Sequence, residues 1–157
     1  MRYLSSILSI AMAAMITSCD KSPDSAEVIG NSLDLYVQNS NGENLLGSTY
    51  LIEDIKLYYL NNGKTEEVFD ANMAAPRNVK FVDIEGNTAL RIFANLNDEE
   101  YPTTYLEWNA EDTDTIRCHY YRSEDNSTIQ IDSVWYNGLK VFPDQAFGPT
   151  EGFKIVK

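Results

Sequence analysis

The sequence predicts an all-β protein, folded as a single antiparallel β-sandwich of the immunoglobulin or transthyretin-like kind. Roughly eight to ten short segments alternate apolar and polar residues with a period of two, at which strand side chains share a face. Turn signals such as Asn62-Gly63 and Asn137-Gly138 separate these segments. No helix-period segment of useful length follows the first 18 residues. A small barrel is the alternative arrangement.

Short turns join most of the predicted strands in pairs, which favours a succession of hairpins. The predicted strands are 33–37, 55–60 with 65–69, 79–84 with 88–93, 104–108 with 115–121, 128–136 with 139–142, and 153–156. Each pair brackets a turn, so neighbours along the chain are expected to be antiparallel neighbours in the sheet.

Alternation also assigns faces to two of these strands. Lys56, Tyr58, Arg117, His119 and Tyr121 are expected to point outward, where they combine tyrosine with cationic or imidazole groups. That composition is typical of protein interfaces and of platforms on which sugars stack, so these five residues are the candidate ligand-binding residues. The alternative interpretation is that tyrosine is an ordinary surface residue of a sheet.

Cysteine and histidine restrict the possible chemistry. Cys118 is expected to point inward with Ile116 and Tyr120, so the adjacent His119 faces the other way and cannot form a Cys-His dyad with it. His119 is the only histidine, which argues against a structural zinc site. A serine-histidine-aspartate set, or a pair of carboxylates in a small hydrolase, is the enzymatic alternative. No catalytic residue and no cofactor is predicted.

The first residues have the features of a lipoprotein signal. Arg2 precedes an uncharged apolar segment that is shorter than a bilayer span, and Ile16-Thr17-Ser18-Cys19 follows as a lipobox. We therefore predict a removed signal peptide at 1–18, lipidation of Cys19 and attachment to a membrane through that lipid. The polar segment 19–32 is predicted to be a tether, and 33–157 the β-sandwich domain. An ordinary secretory signal is the alternative.

The chain is strongly acidic, with 24 Asp and Glu against 12 Lys and Arg and a formal net charge of −12. That balance excludes nucleic acid as an expected partner. Two acidic segments, 97–100 and 109–114, offer oxygen ligands that calcium accepts, and both are expected to be loops at the same end of the fold. Solvated acidic loops are the favoured interpretation, and no metal site is predicted.

Three short motifs match the Asp-Ser/Thr-aliphatic acceptor of O-glycosylation in Bacteroidetes. They place possible modification at Ser25, Thr115 and Ser133. The motif is short enough that chance matches are expected.

Several segments resemble small, largely uncharacterised Bacteroidetes lipoproteins with a β-sandwich domain. The resemblance is carried by 39–46, 55–60, 62–64, 101–102, 105–109 and 135–138. It implies an outer-membrane lipoprotein, on the cell surface or in the periplasmic leaflet. Since that group has no established activity, the resemblance transfers no functional residue.

These observations favour a lipid-anchored, non-enzymatic protein of the cell envelope that binds a protein or a glycan. A structural component of an envelope or fimbrial assembly is the alternative.

Overall fold

The computed structural model describes residues 28–157, and all regular secondary structure within that range is β-strand. The eleven strands are β1 (Val28–Gly30), β2 (Ser32–Gln38), β3 (Lys56–Asn61), β4 (Lys64–Glu67), β5 (Val79–Ile84), β6 (Asn87–Phe93), β7 (Thr103–Asn109), β8 (Asp112–Arg122), β9 (Thr128–Tyr136), β10 (Leu139–Phe142) and β11 (Gly152–Val156). The predicted all-β fold is therefore confirmed.

The strands form two sheets. The larger has seven strands in the order β1, β9, β8, β7, β3 and β4, and β10 also pairs with β9. Because β1 and β10 pair with opposite ends of β9, both lie along the same edge of that long strand. The smaller sheet has the order β11, β2, β6 and β5. All four predicted hairpins are present as antiparallel pairs.

Two strand pairs are parallel, which corrects the prediction of a purely antiparallel arrangement. Strand β1 runs parallel to β9, and β11 runs parallel to β2. The partners in each pair are far apart in the sequence, so no short turn sets their relative direction. Hairpin signals could predict only the pairs that a turn connects.

Side chains from both sheets meet in one hydrophobic core, an arrangement consistent with a β-sandwich. The largest fully buried side chains are Trp108, Phe153, Leu33, Leu35, Ile55, Leu57, Leu90, Ile92, Leu106, Ile116, Val37 and Val134. They come from β2, β6 and β11 of the smaller sheet, from β3, β7, β8 and β9 of the larger sheet, and from the residue just before β3. Burial of this apolar surface is the main favourable contribution to folding.

Strand β2 is buried on both faces. On the face away from the core, both Asp34 carboxylate oxygens lie 2.8 Å from guanidinium nitrogens of Arg91. Asp34 also accepts a hydrogen bond from the Thr150 hydroxyl. Tyr36, on the same face, meets the Phe147 ring at 81° with the centroids 4.7 Å apart. The segment between β10 and β11 therefore covers this part of the smaller sheet.

The sheet structure begins inside the predicted tether. Val28 and Ile29 pair with Thr128 and Ile129, so the end of the segment 19–32 belongs to the larger sheet. These β-branched residues pair with the part of the β9 edge that β10 does not cover. The signal peptide 1–18 and the tether up to residue 27 lie outside the described residues. From residue 28 onward, the chain has no helix long and apolar enough to span a membrane.

Candidate functional site

Polar and aromatic side chains lie together on the solvent-facing side of the seven-stranded sheet, which we call the outer face. The pairing register places Arg117 opposite Trp135, and Trp135 opposite Lys140. Residues on either side of Arg117 in β8 are buried, because successive strand residues point to opposite faces. The predicted division of β8 into inward Ile116, Cys118 and Tyr120 and outward Arg117, His119 and Tyr121 is confirmed.

Tyr101 contacts three residues of this face, and we refer to Tyr101, Arg117, His119 and Trp135 as the Tyr101 cluster. The guanidinium carbon of Arg117 lies 5.1 Å from the centroid of the Tyr101 ring. That ring lies 5.4 Å from Trp135 in an edge-to-face arrangement and 5.6 Å from the His119 ring. Such contacts restrict each ring to a narrow range of orientations. The cluster is therefore preorganised for contact with another molecule.

The cluster extends toward β10 and toward the segment before β7. Lys140 places its Nζ 5.7 Å from the centroid of the Trp135 ring. The neighbouring Glu100 carboxylate raises the pKa of Tyr101 above its usual value, so the phenol stays protonated at neutral pH. Cationic groups thus border aromatic rings along this part of the outer face.

A β-bulge explains how Asp132 reaches His119. The register between β8 and β9 shifts after His119, where β9 carries one extra residue. Asp132 is exposed at this bulge, and its Oδ1 lies 2.7 Å from Nδ1 of His119. Because a carboxylate only accepts hydrogen bonds, the ring N–H donates in this contact. The contact fixes the orientation of the His119 ring beside Tyr101.

Ser133 lies directly opposite His119 in the strand register, and Asp132 precedes Ser133 in β9. These are the three residue types of a serine-histidine-aspartate triad. The contact that defines such a triad, between the serine hydroxyl and the second ring nitrogen, is not formed in the described part of the chain. The geometry instead makes Asp132 a partner that orients His119.

Lys56 and Tyr58 share the outer face but lie on β3, on the far side of β7 from Arg117. Lys56 pairs with Glu107, and the Nζ to Oε1 distance is 3.6 Å. Tyr58 lies opposite Tyr105. The pKa of Lys56 is raised by Tyr58 and Glu107, whereas burial followed by the Glu107 charge raises the pKa of Tyr58. Lys56 and Tyr58 therefore lie on the same face, with β7 between them and β8, and stand apart from the Tyr101 cluster.

Tyr121 lies closest to the end of β8 among the three predicted residues of that strand. Its side chain is 55% exposed, and it lies opposite Gln130, beyond the bulge. The structure thus brings together two of the five predicted residues, Arg117 and His119, in one cluster. Tyr121 lies two positions beyond His119 in β8, whereas Lys56 and Tyr58 stand apart from the cluster on β3.

Sequence reasoning missed three aromatic residues of this face. Tyr101 precedes β7 and lies outside every predicted strand, so alternation assigned it no face. Trp135 and Tyr105 were inside predicted strands, and alternation could have placed them outward. Their alignment with Arg117 and Tyr58 depends on the cross-strand register, which a single sequence does not give.

The acidic segments 97–100 and 109–114 do not lie at the same end of the fold, which corrects that expectation. One precedes β7 and the other follows it, so the length of that strand, about 20 Å, separates them. Asp112 and Asp114 are also part of β8 and not of a loop. Within residues 28–157, no group of three or more potential metal ligands comes together.

The Asp114 carboxylate is already saturated with hydrogen-bond donors. It accepts from Trp108 Nε1 at 2.5 Å, from Asn137 Nδ2 at 2.7 Å and from the Tyr136 hydroxyl. Nζ of Lys157 lies 2.6 Å away. Burial opposes ionisation of Asp114, yet the hydrogen bonds outweigh it and hold the pKa below its usual value. Asp114 therefore stabilises the fold, and its oxygens are not free to bind a metal ion.

The predicted modification sites divide into two groups. Cys19 and Ser25 lie outside the described residues. Thr115 and Ser133 are partly exposed on β8 and β9, on the outer face.

Comparison with known proteins adds no assignment. No family model matches the chain, and no curated protein or solved structure matches it either.

Proposed function

We propose that the chain is a lipid-anchored, non-enzymatic binding module of the bacterial cell envelope, with an immunoglobulin- or transthyretin-like sandwich. The lipobox supports lipidation of Cys19 and removal of 1–18, and the resemblance to Bacteroidetes lipoproteins supports the outer membrane. The tether would hold the domain on the cell surface or in the periplasmic leaflet. The outer face of the larger sheet would then be presented to a partner.

The Tyr101 cluster is the observation that carries this proposal. It combines tyrosine, tryptophan and arginine, the three residue types most enriched among residues that dominate protein-protein binding energy. Their mutual contacts already restrict the side chains, so binding would cost little further conformational entropy. An ordinary sheet surface does not require this degree of preorganisation.

Local charge favours a protein partner over a glycan. Arg117 and Lys140 place cations against the rings of Tyr101 and Trp135, whereas Lys56 on the same face is paired with Glu107. A partner with an acidic group would be oriented by these two cations at short range. A glycan that stacks on Tyr101 or Trp135 is the rival partner, and photocrosslinking distinguishes the two.

The alternative role, a structural component of an envelope or fimbrial assembly, is favoured by a different feature. Val28 and Ile29 are about half exposed in β1, at an edge of the larger sheet. Edge strands offer unpaired backbone groups to another chain. In this role the partner would contact β1 and leave the outer face exposed.

Site-specific photocrosslinking distinguishes these roles. A photoreactive phenylalanine analogue replaces Tyr105, in the middle of the outer face, and in separate strains Ile29 in β1 or Lys80 in the smaller sheet. All three are carried on the full chain in its native membrane. We expect a discrete crosslinked product from position 105 and none from position 80.

The identity of the crosslinked molecule then tests the partner class, and each role has its own signature. A product from position 29 alone would contradict binding through the outer face and support assembly through β1. A crosslink from position 105 to a glycan would show that the partner is a glycan and not a protein. Absence of any product from position 105 would overturn the proposal.

A further inference from the structure

An asparagine-rich cleft opens where the two sheets meet at one end of the fold. It has a volume of about 770 Å³, within the range of small-molecule binding sites. The cleft is lined by Asn31, Tyr59, Asn61, Asn62, Asn78, Ala94, Asn95, Leu96, Asn97, Asp98 and Glu99. Six of these eleven residues are asparagines, and the cleft is separate from the Tyr101 cluster on the outer face.

Both sheets contribute to the walls of this cleft. Asn31 precedes β2 and Asn78 precedes β5 in the smaller sheet, whereas Asn61 ends β3 in the larger sheet. The floor is the segment 94–99, which crosses from β6 in one sheet to β7 in the other. The fold therefore assembles the amide groups from four separate parts of the chain.

Hydrogen bonds hold these side chains in fixed orientations. Asn95 is 3% exposed, and its Nδ2 donates to the carbonyl oxygens of Leu60 and Thr103 and to Oδ1 of Asn61. Asn97 Nδ2 donates to the same Asn61 oxygen at 3.0 Å. These contacts lock the Asn61 amide so that its Nδ2 group is the one left to donate to a ligand.

The opposite wall is fixed in the same way around a phenol. The Tyr59 hydroxyl donates to the Phe93 carbonyl at 2.7 Å and accepts from Nδ2 of Asn78 at 3.0 Å. Asn31 Nδ2 donates to the Ala94 carbonyl, also at 3.0 Å. Each Nδ2 uses one N–H in these contacts, which orients the amide and leaves the Oδ1 atoms of Asn31 and Asn78 to accept hydrogen bonds.

We propose that this cleft binds the neutral sugar residues of an oligosaccharide. A sugar hydroxyl both donates and accepts, so it can pair with the Asn61 donor on one wall and with the Asn31 or Asn78 acceptor on the other. The lining contains no Lys or Arg to pair with an anion, and Asp98 and Glu99 at the rim would repel acidic sugars. Leu96 and the Tyr59 ring supply apolar surface for the C–H groups of a sugar.

The amide lining also argues against other classes of ligand. A nucleotide or phosphate would require cationic or backbone N–H groups directed at its charge. A divalent cation would require several carboxylates, and no such group comes together within residues 28–157. Neutral, hydroxyl-rich molecules are the class that amide donors and acceptors satisfy best.

Ligand-observed saturation-transfer NMR tests the proposal on the full chain, purified in lauryldimethylamine oxide so that the detergent carries no sugar. The probes are cellohexaose, xylohexaose, mannohexaose and maltohexaose, with trigalacturonate as the acidic comparison. We expect saturation transfer to at least one neutral probe and none to trigalacturonate. Transfer to trigalacturonate alone, or to no probe, would overturn the proposal.

Substitution then locates the binding. Asn61→Asp keeps the oxygen that accepts from Asn95 and Asn97 but replaces the free donor with a charge, so we expect about tenfold weaker binding or more. Asn62→Asp adds a charge at the exposed rim and should also weaken binding, and aspartate before glycine still suits the positive φ of this turn position. Asn41→Asp adds the same charge on an exposed turn outside the cleft and should leave affinity unchanged.

Two further results complete the test. Tyr101→Ala should retain oligosaccharide binding, since Tyr101 does not line the cleft. Tyr101→Ala thus distinguishes an error in the proposal for the cleft from an error in the proposal for the outer face. Unchanged affinity in both Asn61→Asp and Asn62→Asp, or loss of affinity in Asn41→Asp, would overturn binding in the cleft.

Discussion

Lys157 places its Nζ 2.6 Å from Oδ2 of Asp114, and this contact joins the two sheets at one end of the core. Asp114 belongs to β8 in the larger sheet, whereas Lys157 directly follows β11 in the smaller one. The same Nζ lies 2.8 and 2.9 Å from the oxygens of Asp112. Loss of the Asp114 charge is costly, because several donors converge on this one buried carboxylate and Lys157 would keep only Asp112 as a counter-charge.

Asp114→Asn should lower the free energy of unfolding by about 3 kcal/mol at pH 7. The amide has one acceptor oxygen where the carboxylate has two, so its NH2 group faces a donor, and the Lys157 ammonium keeps only Asp112 as a close counter-charge. Equilibrium denaturation in urea measures the change. The control is Asp144→Asn, an exposed aspartate, which should change stability by no more than about 0.5 kcal/mol.

The effect of Asp114→Asn should also depend on pH. The folded state holds the pKa of Asp114 below its usual value of about 3.9, so its stabilising contribution is complete above that value. The contribution is lost as the pH falls through the folded pKa. The stability difference between the two proteins should therefore shrink below about pH 4. A difference that stays constant or grows on acidification would contradict this account.

Cys118 should be unreactive toward thiol reagents in the folded protein. Its side chain is 1% exposed, and burial raises the pKa of the thiol to about 12. The thiolate is the reactive form, so labelling with dithiobis-nitrobenzoate at pH 8 should occur only after unfolding. A Cys19→Ser background assigns the signal to Cys118. Complete labelling within minutes under native conditions would show that the inward face of β8 is misassigned.

Lipidation of Cys19 is tested by partition into detergent. Cys19→Ala should move the protein from the detergent phase of Triton X-114 to the aqueous phase, or leave the precursor unprocessed. Cys118→Ser is the matched control, since it removes the other cysteine and should leave partition unchanged. Equal recovery of Cys19→Ala and the unsubstituted protein in the detergent phase, both as processed chains, would rule out a lipid on Cys19.

Local sequence predicted the hairpins well because their turns have a specific backbone requirement. Asn62 and Gly63 both have positive φ, at 51° and 75°, and so do Asn137 and Gly138. These are the residues that adopt such angles at the lowest cost, so the sequence marks the turns directly. Strands flanking these turns could be located from the same signal.

Features that join distant parts of the chain could not be predicted in this way. The parallel pairing of β11 with β2 and the burial of Asp34 beneath Thr150 depend on segments more than 100 positions apart. Tyr101 reaches the outer face from outside any strand, and the bulge that brings Asp132 to His119 has no local signal in alternation. Candidate residues were therefore found where a strand pattern existed and missed where the tertiary fold made the contact.

The affinity of the crosslinked partner for the Tyr101→Ala variant tests the central claim most directly. Tyr101 contacts Arg117, His119 and Trp135, so its removal disorganises the cluster while leaving the core intact. We expect the dissociation constant to rise about tenfold or more and the melting temperature to change little. Phe69→Ala, which removes an exposed aromatic ring elsewhere, should leave affinity unchanged. Normal affinity of the Tyr101→Ala variant would contradict binding through the outer face.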